Sequence, residues 1–359
     1  MTRTRAHQPL RYEAEIAAGL EPVAYQELRQ HLGAGLQLLS PLASQVHSGV
    51  LRFQYSGDVR RLLQLQTVLN LYWLGSYAIP RPKTLLAQEH FTRLVGEVQQ
   101  VLALTTAGRY YTFTINAAGA NSPVFQQLRE RLAAALQLAD APDDADLLLR
   151  IRPARLNPTG WEVLIRLTPR PLSVRPWRVA DMKGALNAAV AHALVLLTQP
   201  QPQDKFLNLA CGSGTLLIER LMAAPARRVI GCDSSAEALA CARANLAAGH
   251  WQDAVELYEW DARTLNLPDA SMDALCADLP FGIAVGDHVE NITLYPELLR
   301  EAARVAKAKA RFVLMTQEVT LMEDLLSECP EWKLLEEIKL TLRGLHPRLY
   351  VLQRRGGVA

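Results

Sequence analysis

The chain has few cysteines, few aromatic residues, almost no net charge and no long uninterrupted apolar run. Its five cysteines, Cys211, Cys232, Cys241, Cys276 and Cys329, all fall in the back half, and none is paired at a spacing that suits zinc. A disulfide framework and a structural metal module are therefore excluded, and reduced thiols are expected. The most apolar window, Ala185 to Leu197, is too short to span a bilayer and contains Asn187 and His192, so it reads as a buried helix. Met1 to Leu20 interleaves Arg3, Arg5, Arg11, Glu13 and Glu15, which breaks up any apolar core of a signal peptide. Neither a membrane segment nor a metal site is expected, and a cytoplasmic location follows.

What is present is unevenly placed. Formal net charge is +2 over 359 residues, half of them apolar, which fits two or three globular domains. Residues 1 to 205 carry 22 Lys and Arg against 15 Asp and Glu, whereas residues 206 to 359 carry 16 against 21. A basic front half joined to an acidic back half suits one module that grips a polyanion and another that does chemistry. The excess is densest between Arg150 and Lys183, where Arg150, Arg152, Arg155, Arg166, Arg170, Arg175, Arg178 and Lys183 meet only Glu162 and Asp181. Trp161 and Trp177 sit among them. Flat rings beside guanidinium groups suit looped or single-stranded RNA, although a solvated surface uses the same residues.

From Tyr12 to about Arg170 short strand-like and helix-like pieces alternate with no glycine loop and no cluster of catalytic types. Glu21 to Leu28 predicts a helix with Pro22 in its first turn, and Gly49 to Tyr55 and Tyr110 to Ile115 predict strands. Pro123 to Leu138 predicts a helix. Leu147 to Arg152 and Trp161 to Leu167 flank Asn157-Pro158-Thr159-Gly160 and predict a hairpin. Gln199-Pro200-Gln201-Pro202-Gln203-Asp204 is linker-like. Beyond it, strands at Phe206 to Ala210, Arg228 to Cys232, Val255 to Tyr258, Ala274 to Ala277 and Arg311 to Met315 alternate with helices from Thr215, over Ala236 to Ala248 and across Leu294 to Ala306. Such alternation implies a parallel sheet covered on both faces, with ligands beyond the carboxyl ends of its strands.

Three motifs fall at those ends. Cys211-Gly212-Ser213-Gly214-Thr215 follows an apolar strand and opens a helix, so Gly212 and Gly214 let backbone approach a ligand that a Cβ would exclude. A phosphate loop would continue after Gly214 with Lys and then Ser or Thr, and here Thr215-Leu216-Leu217 follows. Asp233 ends the second strand, with Ser234 and Glu237 spaced as a capping box. Its carboxylate suits the hydroxyls of a ribose, and Asp261 suits an adenine amino group. Asp278-Leu279-Pro280-Phe281-Gly282 closes the fourth strand. A ring amine is a poor nucleophile because its lone pair is delocalised; the Asp278 carboxylate with the Leu279 or Pro280 carbonyl would hold its hydrogens and direct that pair toward a methyl donor. Phe281 would stack on the base, worth about 1–3 kcal/mol, against the few kcal/mol needed to unstack it. Methylation of a cytosine carbon would need a cysteine nucleophile, and Cys276 reads as core.

On these residues the back half, from Phe206 through Leu349-Tyr350-Val351-Leu352, resembles a class I S-adenosylmethionine-dependent methyltransferase. Asp278-Leu279-Pro280-Phe281 is similar to the (Asp/Asn)-Pro-Pro-(Tyr/Phe) motif of amino-methylating enzymes, and most similar to that of THUMP-containing tRNA guanine-N2-methyltransferases of the TrmN type. Arg175-Pro176-Trp177-Arg178, Gly184-Ala185-Leu186-Asn187, Leu294-Tyr295, Leu314-Met315-Thr316-Gln317 and Gly344-Leu345 match as well. Gly19-Leu20-Glu21 and a helix over Val59 to Leu74 extend the likeness forward.

The resemblance implies an α/β fold: a Rossmann-like class I methyltransferase domain over residues 206–359, preceded by an α+β ferredoxin-like/THUMP region. The latter divides into a ferredoxin-like domain over 1–60, a THUMP RNA-binding domain over 61–170, and a linker with an entry helix over 171–205. It implies methylation of a guanosine N2 in tRNA, the tRNA being held near its acceptor stem. S-Adenosylmethionine would be bound by Asn208, Ala210, Gly212, Gly214, Asp233, Asp261 and Asp278. Asp278, Pro280 and Phe281 would orient the base, and Arg150, Arg152, Arg155, Arg175, Arg178 and Lys183 would contact RNA. Relatives usually carry Asp in place of Asn208 and Pro in place of Lys183. Alternative readings are a ribosomal RNA guanine-N2 or adenine-N6 enzyme, or an RNA-binding homologue without activity.

Overall fold

Tyr12 and Ala14 alternate with Arg11, Glu13 and Glu15, giving the first strand, β1 (Leu10–Glu15), one apolar and one charged face. The computed structural model describes residues 10–104, 110–155, 159–280, 288–342 and 344–356. The chain separates into two units, one of residues 1–16, 25–45 and 50–172, the other of residues 17–24, 46–49 and 173–359.

Most of helix α1 (Glu21–Leu32) belongs to the first unit. There β1 is joined by β2 (Leu36–Leu38), β3 (Val50–Tyr55), β4 (Asn70–Tyr77), β5 (Thr112–Ala117), β6 (Ala139–Asp140), β7 (Leu147–Pro153) and β8 (Trp161–Arg166) in one sheet of order β2-β3-β1-β4-β8-β7-β5-β6. Helices α2 (Gln88–Leu102) and α3 (Pro123–Leu136) bury Phe91, Leu94 and Val98, and Phe125, Leu128 and Leu132, at helical spacing. The expected hairpin forms, with Arg152 opposite Glu162 in the antiparallel pair β7–β8. The helix expected over Val59 to Leu74 does not. Asp58 caps a short 3-10 turn over Val59–Gln64, and β4 then runs between β1 and β8. Both faces of β4 are covered, so its apolar run lacks the alternation that marks a strand with one wet face.

Charges at the centre of this sheet neutralise each other. Arg52 donates from Nε to Glu13 at 2.8 Å and from Nη2 to Glu162 at 2.7 Å, and Arg152 donates to both carboxylates. Replacing such a set with apolar groups is often neutral, whereas removing one member strands a buried charge at a cost of about 3–5 kcal/mol.

In the second unit, α4 (Ala188–Leu197) is apolar all round and buried, with Asn187 accepting from the Ala189 amide at its start. Then follow β9 (Lys205–Leu209), α5 (Thr215–Ala223), β10 (Arg228–Asp233), α6 (Ala236–Ala248), β11 (Glu256–Glu259), β12 (Met272–Asp278), α7 (His288–Val305), β13 (Ala306–Thr316), α8 (Val319–Glu328), β14 (Trp332–Lys339) and β15 (Arg348–Arg354). The sheet order is β11-β10-β9-β12-β13-β15-β14. Strands β9 to β13 pair in parallel, as the alternation predicts, while β15 inserts antiparallel between β13 and β14. The chain winds from β9 outward to β11 and returns to β12 on the other side of β9. That reversal opens a crevice at the carboxyl ends of these strands.

Arg220 of α5 is fully buried over Phe206. It donates to the carbonyls of Gln201, Ala224 and Pro225 and to Asp204, tying residues 201–204 to the helix.

Candidate active site

The crevice holds a cavity of about 410 Å³ lined by residues 182–186, the turn after β9, the ends of β10 and β12, Trp260 to Ala262, and Leu294 and Leu298 of α7. Its floor is backbone. Ala210, Gly212 and Gly214 all take left-handed φ values, of 49°, 53° and 80°. Ala210 is strained there and the glycines are not. A Cβ on Gly214 would also come within 3.2 Å of the Ala242 methyl, a tight contact that adds to the cost of its left-handed φ.

Asp233 spans the turn and the following helix, its Oδ2 accepting from the Gly212 amide and its Oδ1 from the Ser235 amide, both at 2.9 Å. Each oxygen keeps capacity for a further donor. The helix starts at Ala236 as expected, so its cap is Ser235, whose hydroxyl oxygen accepts from the Ala238 amide, and not the Ser234 of the expected capping box. Asp261 lines the cavity and is held below the usual carboxylate range by Arg263, which grips it through backbone and side chain. Trp260, which the sequence reading passed over, lines the same wall and stacks on Tyr258 with ring centroids 4.1 Å apart.

At the end of β12, Asp278 lines the cavity with Oδ1 buried and without a hydrogen-bond partner among the described residues. Burial pushes its carboxyl up to about 7. The Leu279 amide is used by the Met315 carbonyl. The Pro280 carbonyl accepts from the Tyr295 hydroxyl at 2.7 Å and from Asn291 Nδ2 at 3.1 Å, so both of its lone pairs are used. Phe281 lies outside the described residues. Cys276 is fully buried with its thiol pushed far up by desolvation, as fits a core residue and not a nucleophile.

The remaining wall is the segment 178–187, tied to the glycine turn at both ends. Asn245 of α6, completely buried, accepts from the Val179 and Ala180 amides and donates to the Ala180 and Ser213 carbonyls, all at 2.9–3.0 Å. Arg178 donates to the Leu186 carbonyl and to Thr215 Oγ1. Lys183, with Met182, thereby stands in the cavity wall. Asn245 was not singled out in the sequence, since a lone Asn in a helix pattern carries no signal of four satisfied bonds.

Of the expected cofactor residues, Ala210, Gly212, Asp233, Asp261 and Asp278 meet in this cavity, whereas Gly214 does not line it and instead turns the chain against Ala242 of α6. Asn208 does not reach it. Its side chain is fully buried and donates to the Leu209 and Cys276 carbonyls, lacing β9 to β12. The expected RNA contacts divide. Arg175 is buried and paired with Glu219, which also takes His192 Nδ1 at 2.8 Å, so its guanidinium is a structural group that no phosphate can reach. Trp177 is buried too, and offers no face to a base. Arg178 is committed to the wall just described. Arg150 pairs with Glu15 and lies over Tyr72, and Arg152 pairs with Glu13 and Glu162, each keeping part of its surface, while Arg155 is exposed.

The cavity suits S-adenosylmethionine: glycine backbone for close approach, carboxylates at Asp233 and Asp261 for ribose hydroxyls and an adenine amine, and an aromatic wall at Trp260. Among the described residues no group of three or more His, Cys, Asp or Glu is placed to hold a metal, and no helix is long and apolar enough to cross a membrane.

Comparison with known proteins agrees with this geometry. Residues 175–348 match the family described as UPF0020, RMKL-like, methyltransferase domain. The chain is 29% identical over 182 residues to the mouse (Mus musculus) tRNA (guanine(6)-N(2))-methyltransferase THUMP3, covering 47% of this chain and 36% of that protein. It is 30% identical over 211 residues to the Thermus thermophilus tRNA (guanine(6)-N2)-methyltransferase, covering 56% of this chain and 61% of the relative. The match therefore spans about a third of the mouse relative's length and under two thirds of the bacterial one. The crystal structure of TrmN from Thermus thermophilus superposes with a TM-score of 0.75 at 22% identity, over 96% of this chain and 99% of that one. The fold is thus that of a Rossmann-like class I methyltransferase with its α+β front region.

Proposed function

We propose that this chain, whose residues 175–348 match the RMKL-like methyltransferase domain, methylates the exocyclic N2 of a guanosine in tRNA with S-adenosylmethionine as donor. The observation that carries the reading is Asp278 Oδ1, buried and without a hydrogen-bond partner among the described residues, in the same cavity wall as the glycine turn, Asp233 and Asp261. An acceptor-only group left so exposed to desolvation is costly unless a donor arrives, and an amine is such a donor.

Bound there, the cofactor supplies an activated methyl on a sulfonium and leaves as a neutral thioether. The chain's own part is positioning. Asp233 accepts the ribose hydroxyls, Asp261 accepts an adenine amine hydrogen, and the Gly212–Gly214 turn admits the cofactor to the floor. Asp278 and the Leu279 carbonyl each accept one amine hydrogen of the base, which turns the nitrogen lone pair out of conjugation. As nitrogen gains its new carbon bond it sheds one proton, and Asp278, with its carboxyl raised to about 7, is matched to take it near neutral pH.

The basic residues Arg150, Arg152 and Arg155 of the front unit and Lys183 in the cavity wall contact the RNA. The front region is a ferredoxin-like domain over 1–60 followed by a THUMP domain over 61–170, with 171–205 as linker and entry helix, and it holds tRNA near the acceptor stem in the cytoplasm. Support for a tRNA guanosine comes from the names of the mouse and Thermus relatives. The test is mass spectrometry of nucleosides after incubating unmodified tRNA and ribosomal RNA with the protein and cofactor. N2-methylguanosine in tRNA is expected; N6-methyladenosine, or methylation confined to ribosomal RNA, would replace this reading with another.

A further inference from the structure

The Pro280 carbonyl oxygen accepts two hydrogen bonds, from Tyr295 Oη at 2.7 Å and from Asn291 Nδ2 at 3.1 Å. A carbonyl has two lone pairs, so this one has no room for a substrate hydrogen. Tyr295 Oη lies 2.7 Å from Thr316 Oγ1. A phenol has one proton. With that proton given to Pro280, the Tyr295 oxygen accepts from Thr316, whose own oxygen accepts the Glu318 amide at 3.0 Å. Asn291 Nδ2 also reaches Glu318 Oε1 at 3.2 Å. The donors therefore run in one direction, from the end of β13 through α7 to the turn after β12.

Tyr295, Asn291 and Thr316 are all fully buried. Packing alone does not call for this. Phenylalanine and leucine would fill the same space without burying polar groups, which cost about 1–3 kcal/mol each unless bonded. The hydrogen bonds act on the backbone of one residue, two positions after Asp278.

We infer that Tyr295 is a positioning residue for methyl transfer, with Asn291 as its second arm: together they hold the Pro280 carbonyl out of use, so that Asp278 and the Leu279 carbonyl are the pair presented to the amine. This rests on the reading of residues 278–281 as the amine-holding turn. Neither side chain touches substrate or cofactor in this scheme. Their effect passes through the plane of the Pro280 peptide.

The test uses the full chain with tRNA and S-adenosylmethionine. Tyr295→Phe keeps the ring and so the packing of α7, and removes only the hydroxyl. Its kcat is expected to fall about tenfold, the loss of one hydrogen bond, while the KM for tRNA and the cofactor Kd by calorimetry stay within about twofold. Thr316→Val, which removes the donor behind Tyr295 without touching the turn, is expected to lower kcat in the same direction by less. If the wild type turns over and Tyr295→Phe matches it, the inference falls while the assignment of the turn survives. A loss of kcat that tracks the melting temperature and vanishes on cooling would show a merely structural role and overturn it too. A wild type that methylates no guanosine amine would take both down together.

Discussion

Asp278 is half-buried as a residue, yet its Oδ1 is fully buried and has no hydrogen-bond partner among the described residues. Burial raises its carboxyl from 3.8 to about 7, so between those values the folded chain keeps a proton that the unfolded chain has released. Stability contributed through this group is thus highest in acid and falls as pH rises toward 7. Asp278→Asn is expected to raise the melting temperature at about pH 8, by the equivalent of about 1–3 kcal/mol, and to change it little at about pH 4. Thermal denaturation at the two values checks the sign. Activity has the opposite dependence. The ionised form accepts the amine hydrogen, so kcat/KM is expected to rise through a limb near pH 7 and that limb to be missing in Asp278→Asn, whose residual turnover is low and flat. Asp233→Ala should weaken S-adenosylmethionine binding by about 10- to 150-fold, from hydrogen bonds to a charged group worth about 1.5–3 kcal/mol; unaltered affinity by calorimetry would count against its ribose role. Arg175→Ala should leave RNA affinity unchanged and instead lower stability by about 3–5 kcal/mol, since Glu219 would keep its burial and lose its main counter-charge.

At the scale of elements, the turn after β9 shows which features a sequence displays. Gly212 and Gly214 were legible because only glycine is at ease at left-handed φ, and a glycine pair between an apolar strand and a helix is a visible pattern. Gly214→Ala is expected to cost about 1–3 kcal/mol, from φ strain and the approach to Ala242, and to weaken cofactor binding beyond that; retained stability with retained affinity would show that the turn tolerates a side chain. The alternation of strands and helices from β9 to β13, and their parallel pairing, were also readable, since buried parallel strands appear as short apolar runs set between helices. Less was readable where tertiary partners decide. The helix that the resemblance implied over Val59 to Leu74 is instead a 3-10 turn followed, from Asn70, by a strand covered on both sides. Arg175 and Trp177 look like an RNA surface in a list of residues, and only the pairing with Glu219 and the packing around the indole reveal them as interior. The role of the Pro280 carbonyl depends on α7 and β13, which are distant in sequence, so no local pattern announces it.

For the whole molecule, the sign asymmetry between the two halves of the chain is the property that bears on RNA. On the proposed reading the basic front half would supply the polyanion contacts, and the acidic back half would limit the strength of any non-specific hold. Affinity for tRNA is expected to fall steeply as salt rises, and Arg155→Ala, a change at an exposed residue, to reduce the slope of log affinity against log salt by about 1. A salt-independent affinity would contradict the electrostatic reading. Domain identity in the front half was the hardest property to read, because its eight strands form a single sheet whose elements are short and whose charged residues face each other across strands. Composition there does not separate a proposed binding surface from the buried ion network that the structure shows.

The most direct test of the central claim is transfer of a deuterated methyl group from labelled S-adenosylmethionine to unmodified tRNA, by the wild type and by Asp278→Ala side by side, read by nucleoside mass spectrometry with cofactor affinity measured on both proteins. The wild type is expected to yield labelled N2-methylguanosine, and Asp278→Ala to yield none while binding the cofactor almost as tightly. Equal labelling by the two proteins, or a label on any other atom of the RNA, would contradict the account.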